Sequence, residues 1–304
     1  MIKCFEHQTY PKDRIEWIII DDGTDPIRDL VEHIPQVKYF YYETHMVLGK
    51  KRNLMHSKCS GDILIYMDDD DYYPPERVSH AVEVLLANPS CLIAGSSEMH
   101  IYFDKRQEMY QCGPYMENHA TAATFAFRKE VLRMTSYNED NVLAEEKHFL
   151  KEYKIQMKQL DTRKTILVFS HSHNSLNKEK LLEHPEMSRI VPSRFKIEDF
   201  IQDEELKDFY VNRMNELLTN YQEGLPENKP RLMKALEEVD IKRAEALKKQ
   251  HEHQQQHQHQ QIQQYIKNIQ IECEKKIKQK DILIQAQFKK IKELQARLLE
   301  KEAF

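Results

Sequence analysis

The chain has 304 residues and a formal net charge of −5 at pH 7, which allows one sizeable core plus an appendage and gives little support for non-specific nucleic-acid binding. Its five cysteines, Cys4, Cys59, Cys91, Cys112 and Cys273, are odd in number and form no CxxC pair, so they suit reduced thiols better than a disulfide framework. No apolar stretch approaches the roughly 20 residues needed to span a bilayer, and the start lacks the apolar core of a signal peptide, so a cytoplasmic protein without a transmembrane segment is expected.

The first two-thirds alternate short apolar runs with amphipathic ones, the pattern of an α/β domain. Residues 15–20 (IEWIII) predict a buried strand ended by Asp21-Asp22-Gly23-Thr24. Residues 49–59 predict a short helix, and 63–67 (ILIYM) a second buried strand. Pro74-Pro75-Glu76 opens a helix in which Val78, Ala81, Val82 and Leu85 share one face, and Asn88-Pro89 stops it. Residues 91–94, 99–103, 122–127 and, as a last strand, 165–169 read as strands, with a helix over 145–153.

After about Lys178 the character changes. Polar helical segments run to Tyr221, Gly224, Pro226 and Pro230 break them, and residues 231–304, without Gly or Pro, suit one long helix. Ile277, Ile284, Ile291 and Leu298 recur every seven residues with Leu294 between the last two, while Cys273, Lys280 and Gln287 occupy the companion seam. The pattern is compatible with a self-associating helix or with a solvated one, and the Gln-His tract of residues 249–264 interrupts it. The expected domains are therefore 1–178, a helical extension 179–230, and a long helix or coiled coil 231–304.

Two predicted strands end in carboxylates, Asp21-Asp22 and Asp68-Asp69-Asp70-Asp71. Crowded carboxylates raise one another's pKa unless a cation sits among them, and a hard divalent metal with oxygen ligands resolves the conflict. In open α/β sheets ligands lie beyond the carboxyl ends of strands, so the first cluster suits a neutral donor group and the second a metal bridging a diphosphate, with Lys50-Lys51-Arg52 as nearby cations. Each cluster alone is equally a turn or a helix cap, and Tyr72 and Pro74 exclude an EF-hand.

Taken in order, Gln8-Thr9-Tyr10-Pro11, residues 15–25 (IEWIIIDDGTD), Gly49-Lys50-Lys51-Arg52-Asn53, Gly61-Asp62, the Asp68–Asp71 run with its DXD motif, and Pro75-Glu76-Arg77 resemble a family-2 glycosyltransferase of the GT-A fold over roughly residues 1–175. The Lys-, Gln- and His-rich tail resembles the glycosyltransferase-like proteins of large DNA viruses, which would make the host cytoplasm the location. The resemblance implies a Rossmann-like mixed sheet flanked by helices. It also implies an inverting transfer from a nucleotide-sugar, a UDP-sugar by expectation, with Mn²⁺ or Mg²⁺.

Carried over by position, Asp21 and Asp22 would face the donor base, with Arg52 near the nucleotide. Asp68 and Asp69 would contact ribose or order the loop, and Asp70, supported by Asp71, would hold the metal. Residues 141–148 (NVLAEEKH) resemble the acceptor-side segment that supplies the catalytic base, Glu146 or else Glu145. Alternation places His171 and His173 on one side of a strand end, where either could complete the metal shell. The histidines at 251, 253, 257 and 259 are expected to have no catalytic role.

The family opens with a strand ending in a Thr/Ser-Tyr-Asn-like loop. Met1 falls within the helix that follows it, so that strand is expected either upstream of Met1 or to be lacking, which would expose a sheet edge. A non-catalytic GT-A domain acting as a coiled-coil interaction module is the alternative reading, and a nucleotidyltransferase a third. The acceptor, whether glycan, protein or small molecule, would meet the variable loops of residues 99–127 and the helices after Lys178.

Overall fold

The computed structural model describes residues 1–140, 142 and 145–302, with residues 187, 250 and 297–302 as backbone only. Its contacts divide into two compact units, Met1–Leu236 and Glu237–Phe304.

The first unit opens with α1 (Ile2–Glu6), β1 (Trp17–Asp21), α2 (Arg28–Val31) and β2 (Val37–Tyr41). β1 and β2 pair in parallel, with Trp17 opposite Val37 and Asp21 opposite Tyr41. Next come α3 (Leu48–Lys58), β3 (Ile63–Ile65), α4 (Arg77–Ala87), β4 (Ile93–Gly95), β5 (Met99–Phe103), β6 (Glu108–Cys112) and β7 (Ala126–Arg128). α5 (Glu145–Phe149), β8 (Met157–Gln159) and β9 (Leu167–Ser170) follow, then α6 (Lys180–Glu183), α7 (Pro185–Ser188) and β10 (Ile190–Pro192). α8 (Glu204–Asp208) runs through a π-helical turn, Phe209–Arg213, into α9 (Met214–Thr219), and α10 spans Pro230–Glu302.

Two four-stranded sheets carry the core, in the orders β3-β7-β4-β8 and β10-β6-β5-β9. Both are mixed: β4 is parallel to β8 and β5 to β9, whereas the β3–β7 and β5–β6 pairs are antiparallel. α4 packs Ala81 and Leu85 on Ala94, Ala126 and Leu160, and the three alanines let helix and sheet approach closely. Asn88 ends α4, its side-chain amide donating to Val84 O at 2.8 Å. Glu16, just before β1, accepts from Ser60 Oγ at 2.7 Å and Gly61 N at 2.8 Å, so β1 is tied to the turn that leads into β3.

The predicted strand over 122–127 is split. Ala122–Thr124 form a 3₁₀ turn because the Thr124 hydroxyl bonds back to Thr121 O at 2.7 Å, and only Ala126–Arg128 join the sheet. The predicted helix over 145–153 stops at Phe149, and Lys151, Glu152 and Tyr153 take left-handed φ angles of 50°, 58° and 61°. β9 is not the last strand, since β10 pairs with β6, Ile190 opposite Cys112. The polar segments after Lys178 also feed the core: Phe200, Ile201, Leu206, Tyr210 and Met214 are buried with Ile101, Phe103 and Phe169. In the second unit α10 continues without interruption to Glu302.

Candidate active site

The acidic run follows β3 and is fixed by contacts made far along the chain. Tyr72 and Leu167 form an antiparallel bridge, with N–H···O distances of 3.1 and 2.9 Å, which lays the loop against β9. The buried Asp71 carboxylate accepts from Phe169 N at 3.0 Å, and Tyr210 of the π-helical turn donates to Asp71 O at 2.9 Å. Tyr73, fully buried, accepts from Asp68 N at 2.8 Å and donates to Ala123 O. Arg77, also fully buried, donates to Tyr66 O at 3.0 Å and Phe125 O at 2.9 Å, clamping β3 where the acids begin. Burial lowers its pKa to about 10.

This pinning brings Asp70 to His171, 101 residues away, with Oδ2 and Nε2 3.1 Å apart. Asn174 donates from Nδ2 to the same Asp70 oxygen at 3.1 Å, and its Oδ1 accepts from His171 N at 2.9 Å. The His171 side chain is 2 % exposed and that of Asp70 is 37 % exposed, so a buried imidazole presents its ring nitrogen to a carboxylate at the edge of solvent. Burial raises the Asp70 pKa, but the His171 hydrogen bond and the Lys178 charge leave it below the usual carboxylate range. Asp71 is driven the other way, well above that range, by burial and then by Asp70.

Among the described residues no group of three or more His, Cys, Asp or Glu side chains converges as a closed metal shell. The pair that does converge fits one edge of an open site. Neighbouring ligands at right angles around Mg²⁺, with bonds of about 2.1 Å, stand about 3 Å apart, close to the 3.1 Å between Asp70 Oδ2 and His171 Nε2. Mg²⁺ in particular is commonly held by one or two carboxylates, with water and substrate phosphates filling the other positions.

A second constellation centres on Arg52, which lies buried on α3. Its guanidinium sits over the Tyr66 ring at 4.6 Å and near Tyr137 at 5.7 Å. Nε lies 2.9 Å from Glu145 Oε1 but off the line of its N–H, an ion pair without an aligned hydrogen bond. Nη2 is 4.0 Å from Asp68 Oδ1. Burial opposes the charge, yet Tyr137, Asp68 and Glu145 around it hold Arg52 protonated. Arg52 thus joins the start of the acidic run to the first turn of α5. Asp68 keeps 38 % of its side chain exposed but lies in a recess of like charge. Burial raises it to about 6, with Arg52 lowering it and Asp70, Asp69 and Glu145 adding to the rise. Glu146, half-buried beside Glu145, is raised by burial and then by that neighbour.

Asp22 is held by the Lys51 ammonium on one oxygen and by Met46 N on the other, at 2.7 Å, with its side chain 5 % exposed. Asp21 serves the turn after β1, accepting from Gly23 N at 2.9 Å and Ile27 N at 3.0 Å, and from the Tyr39 hydroxyl. Met46 also lines a cavity of about 670 Å³, together with Tyr42, His45, Lys50, Glu139, Asp140 and Arg231.

The structure therefore unites Asp70 with His171, and Arg52 with Asp68 and Glu145. Asp69 is exposed on the loop. His173 is not brought to Asp70; its Nε2 donates to Tyr221 O at 2.8 Å and its ring lies on Tyr221. In the segment over 141–148, Asn141, Leu143 and Ala144 lie outside the described residues. Sequence reasoning gave no role to Asn174, Lys178, Tyr73 or Arg77. The Asn at the end of the His-Ser-His-Asn turn was a visible signal; the others act through contacts that no local pattern encodes.

The profile of glycosyl transferase family 2 matches residues 1–184, and the chain belongs to that family. The mixed α/β sheets flanked by helices are the architecture expected of its GT-A fold. An uncharacterized glycosyltransferase of Haemophilus influenzae is 26 % identical over 101 residues, 32 % of this chain and 39 % of that protein, so the chain matches about two fifths of this relative's length. Among solved structures, a mannosyltransferase from Pyrobaculum calidifontis in complex with GDP-Man and Mn²⁺ aligns over 55 % of this chain and 51 % of its own, at 14 % identity and a TM-score of 0.43. Residues 1–349 of S. aureus TarS in complex with UDP-GlcNAc align over 78 % and 74 %, at 16 % identity and a TM-score of 0.42.

Proposed function

We propose that the protein is an inverting glycosyltransferase that moves a sugar from a nucleotide diphosphate donor, a UDP-sugar, to an acceptor hydroxyl. The observation that carries this reading is the approach of Asp70 in the acidic run to His171, 3.1 Å away, at the end of β9. Asp70 and His171 would hold Mn²⁺ or Mg²⁺, with Asp71 and Asn174 fixing their positions. The cation supplies charge neutralisation, without which a diphosphate would not settle among four carboxylates.

The remaining work falls to the chain's own groups. Glu146 takes the proton of the acceptor hydroxyl as its oxygen forms a bond to the anomeric carbon. The bond from that carbon to the diphosphate oxygen breaks on the opposite face, its electron pair leaving with the nucleotide, so the configuration inverts. Burial, and then the neighbouring Glu145, raise the Glu146 pKa, which makes it a stronger base than a free glutamate. Arg52 holds the Glu145 carboxylate in place, so that the two acidic groups of α5 keep separate duties.

The test is release of UDP from a panel of UDP-sugars in the presence of Mn²⁺. The proposal expects turnover that Glu146→Gln lowers roughly 10²–10⁴-fold. Release of pyrophosphate from a nucleoside triphosphate and a sugar phosphate would point to a nucleotidyltransferase instead. No release of either product would favour the non-catalytic interaction module.

A further inference from the structure

The second unit carries an apolar seam along α10 that nothing in its own chain covers among the described residues. Ile262, Ile266, Ile269, Ile277, Ile284, Ile291 and Leu294 are each between 44 and 59 % exposed, and Cys273 on the same line is exposed. Their separations, with Cys273, Lys280 and Gln287 included, run 4-3-4-4-3-4-3-4-3. That is the alternation of a two-residue-per-heptad seam, with one four-residue stutter at Cys273. In heptad terms Ile277, Ile284 and Ile291 take position a, and Cys273, Lys280, Gln287 and Leu294 take position d.

We propose that α10 pairs with a second copy of this chain as a parallel, in-register, two-stranded coiled coil over residues 262–294. Three observations converge on that occupant. The first is flank charge. Position g is Lys276 and Lys290, and position e is Asp281 and Gln295. In a parallel pair g meets the e position five residues on, which sets Lys276 against Asp281 and Lys290 against the neutral Gln295 of the other copy. In an antiparallel pair g meets g, which sets lysine against lysine.

The second is the stretch where the seam is polar. Lys280 and Gln287 occupy d, where in register each meets its own copy, so the two Lys280 ammoniums must reach past the seam to solvent on their methylene stems; there the flanks turn apolar: Leu283 at g and Phe288 at e, 60 and 62 % exposed. These two are also five residues apart, so in the parallel pair Leu283 of one helix covers Phe288 of the other and restores apolar contact that the d positions lack. The third is side-chain shape. β-branched isoleucine at a favours two strands where d is leucine, as at Leu294. Ile271 and Ile282 lie on the outer face and take no part.

The experiment is sedimentation of the full-length protein across a concentration series, combined with a short bis-maleimide crosslinker. The expected result is a species of twice the chain mass, crosslinked through Cys273. Ile277→Asp with Ile284→Asp should return it to the monomer, and Cys273→Ser should abolish the crosslink while leaving the dimer. Both changes are on exposed positions of α10 and leave the packed first unit intact, which Trp17 fluorescence verifies. A monomer at every concentration, a trimer, a dimer that survives the double substitution, or a dimer without a Cys273-dependent crosslink would each overturn the proposal.

Discussion

His56 lies under the Arg52 constellation and titrates against folding. It is 6 % exposed, edge-on to Phe127 at 5.5 Å, with its Nε2 on the Tyr66 hydroxyl. Burial, and then the Arg52 charge, lower its pKa from 6.5 to about 4. Because the folded value is depressed, the unfolded chain takes up the proton first. The stability that comes from keeping His56 neutral is complete above about pH 6.5 and falls as the pH drops towards 4. At about 1.4 kcal/mol per pH unit across that window, the loss is about 3 kcal/mol. Urea unfolding of the protein and of His56→Gln, followed through Trp17, which stacks on Phe5 at 4.6 Å, measures it. Glutamine retains a polar partner for Tyr66 and does not titrate. The stability difference between the two proteins should be constant above pH 6.5 and shrink by about 3 kcal/mol down to pH 4. Taking the difference removes the opposing contribution of Asp68, which both share. Parallel stability curves over that range would refute the reasoning.

Other consequences are equally direct. Glu145→Gln removes the charge that helps hold Glu146 up and frees Arg52 to lower it further, so the acid limb of the kcat/KM profile should move to lower pH; an unmoved limb would contradict Glu146 as the base. The same change leaves a buried arginine short of a partner and should cost about 3 kcal/mol in unfolding experiments. Asp71→Asn keeps an oxygen for Phe169 N–H and should alter stability by less than about 1 kcal/mol, whereas Asp71→Ala should cost about 1–3 kcal/mol; equal effects would contradict the hydrogen bond. Gly113 has φ +77° and a Cβ there would stand 2.2 Å from Ser97 O, so Gly113→Ala should lower stability by about 2–3 kcal/mol in the same assay.

The elements that sequence reasoning placed well are those with strong local signals. α4 carries helical spacing with a clear stop at Asn88-Pro89, and β1, β3 and β5 are runs of apolar or β-branched residues. Those it passed over are short or depend on distant partners: β2 exists as the parallel neighbour of β1, β6 as the hairpin partner of β5, β8 beside β4, and β10 beside β6. The acidic run was legible because four aspartates after an apolar strand demand an electrostatic explanation. Its setting was not, since Asp71 is satisfied by Phe169 and Tyr210, 98 and 139 residues away. His171 and His173 looked equivalent by alternation, but the turn at Ser172 breaks the extended chain, and Asn174 and Tyr221 then assign them different partners.

The central claim is that Asp70 and His171 form the protein's part of a metal–diphosphate site. Calorimetric titration of UDP into the full-length protein, with Mn²⁺ and with chelator, tests it most directly. Binding should require Mn²⁺ and be lost in Asp70→Asn. Binding of equal strength without metal, or undiminished in Asp70→Asn, would contradict the claim.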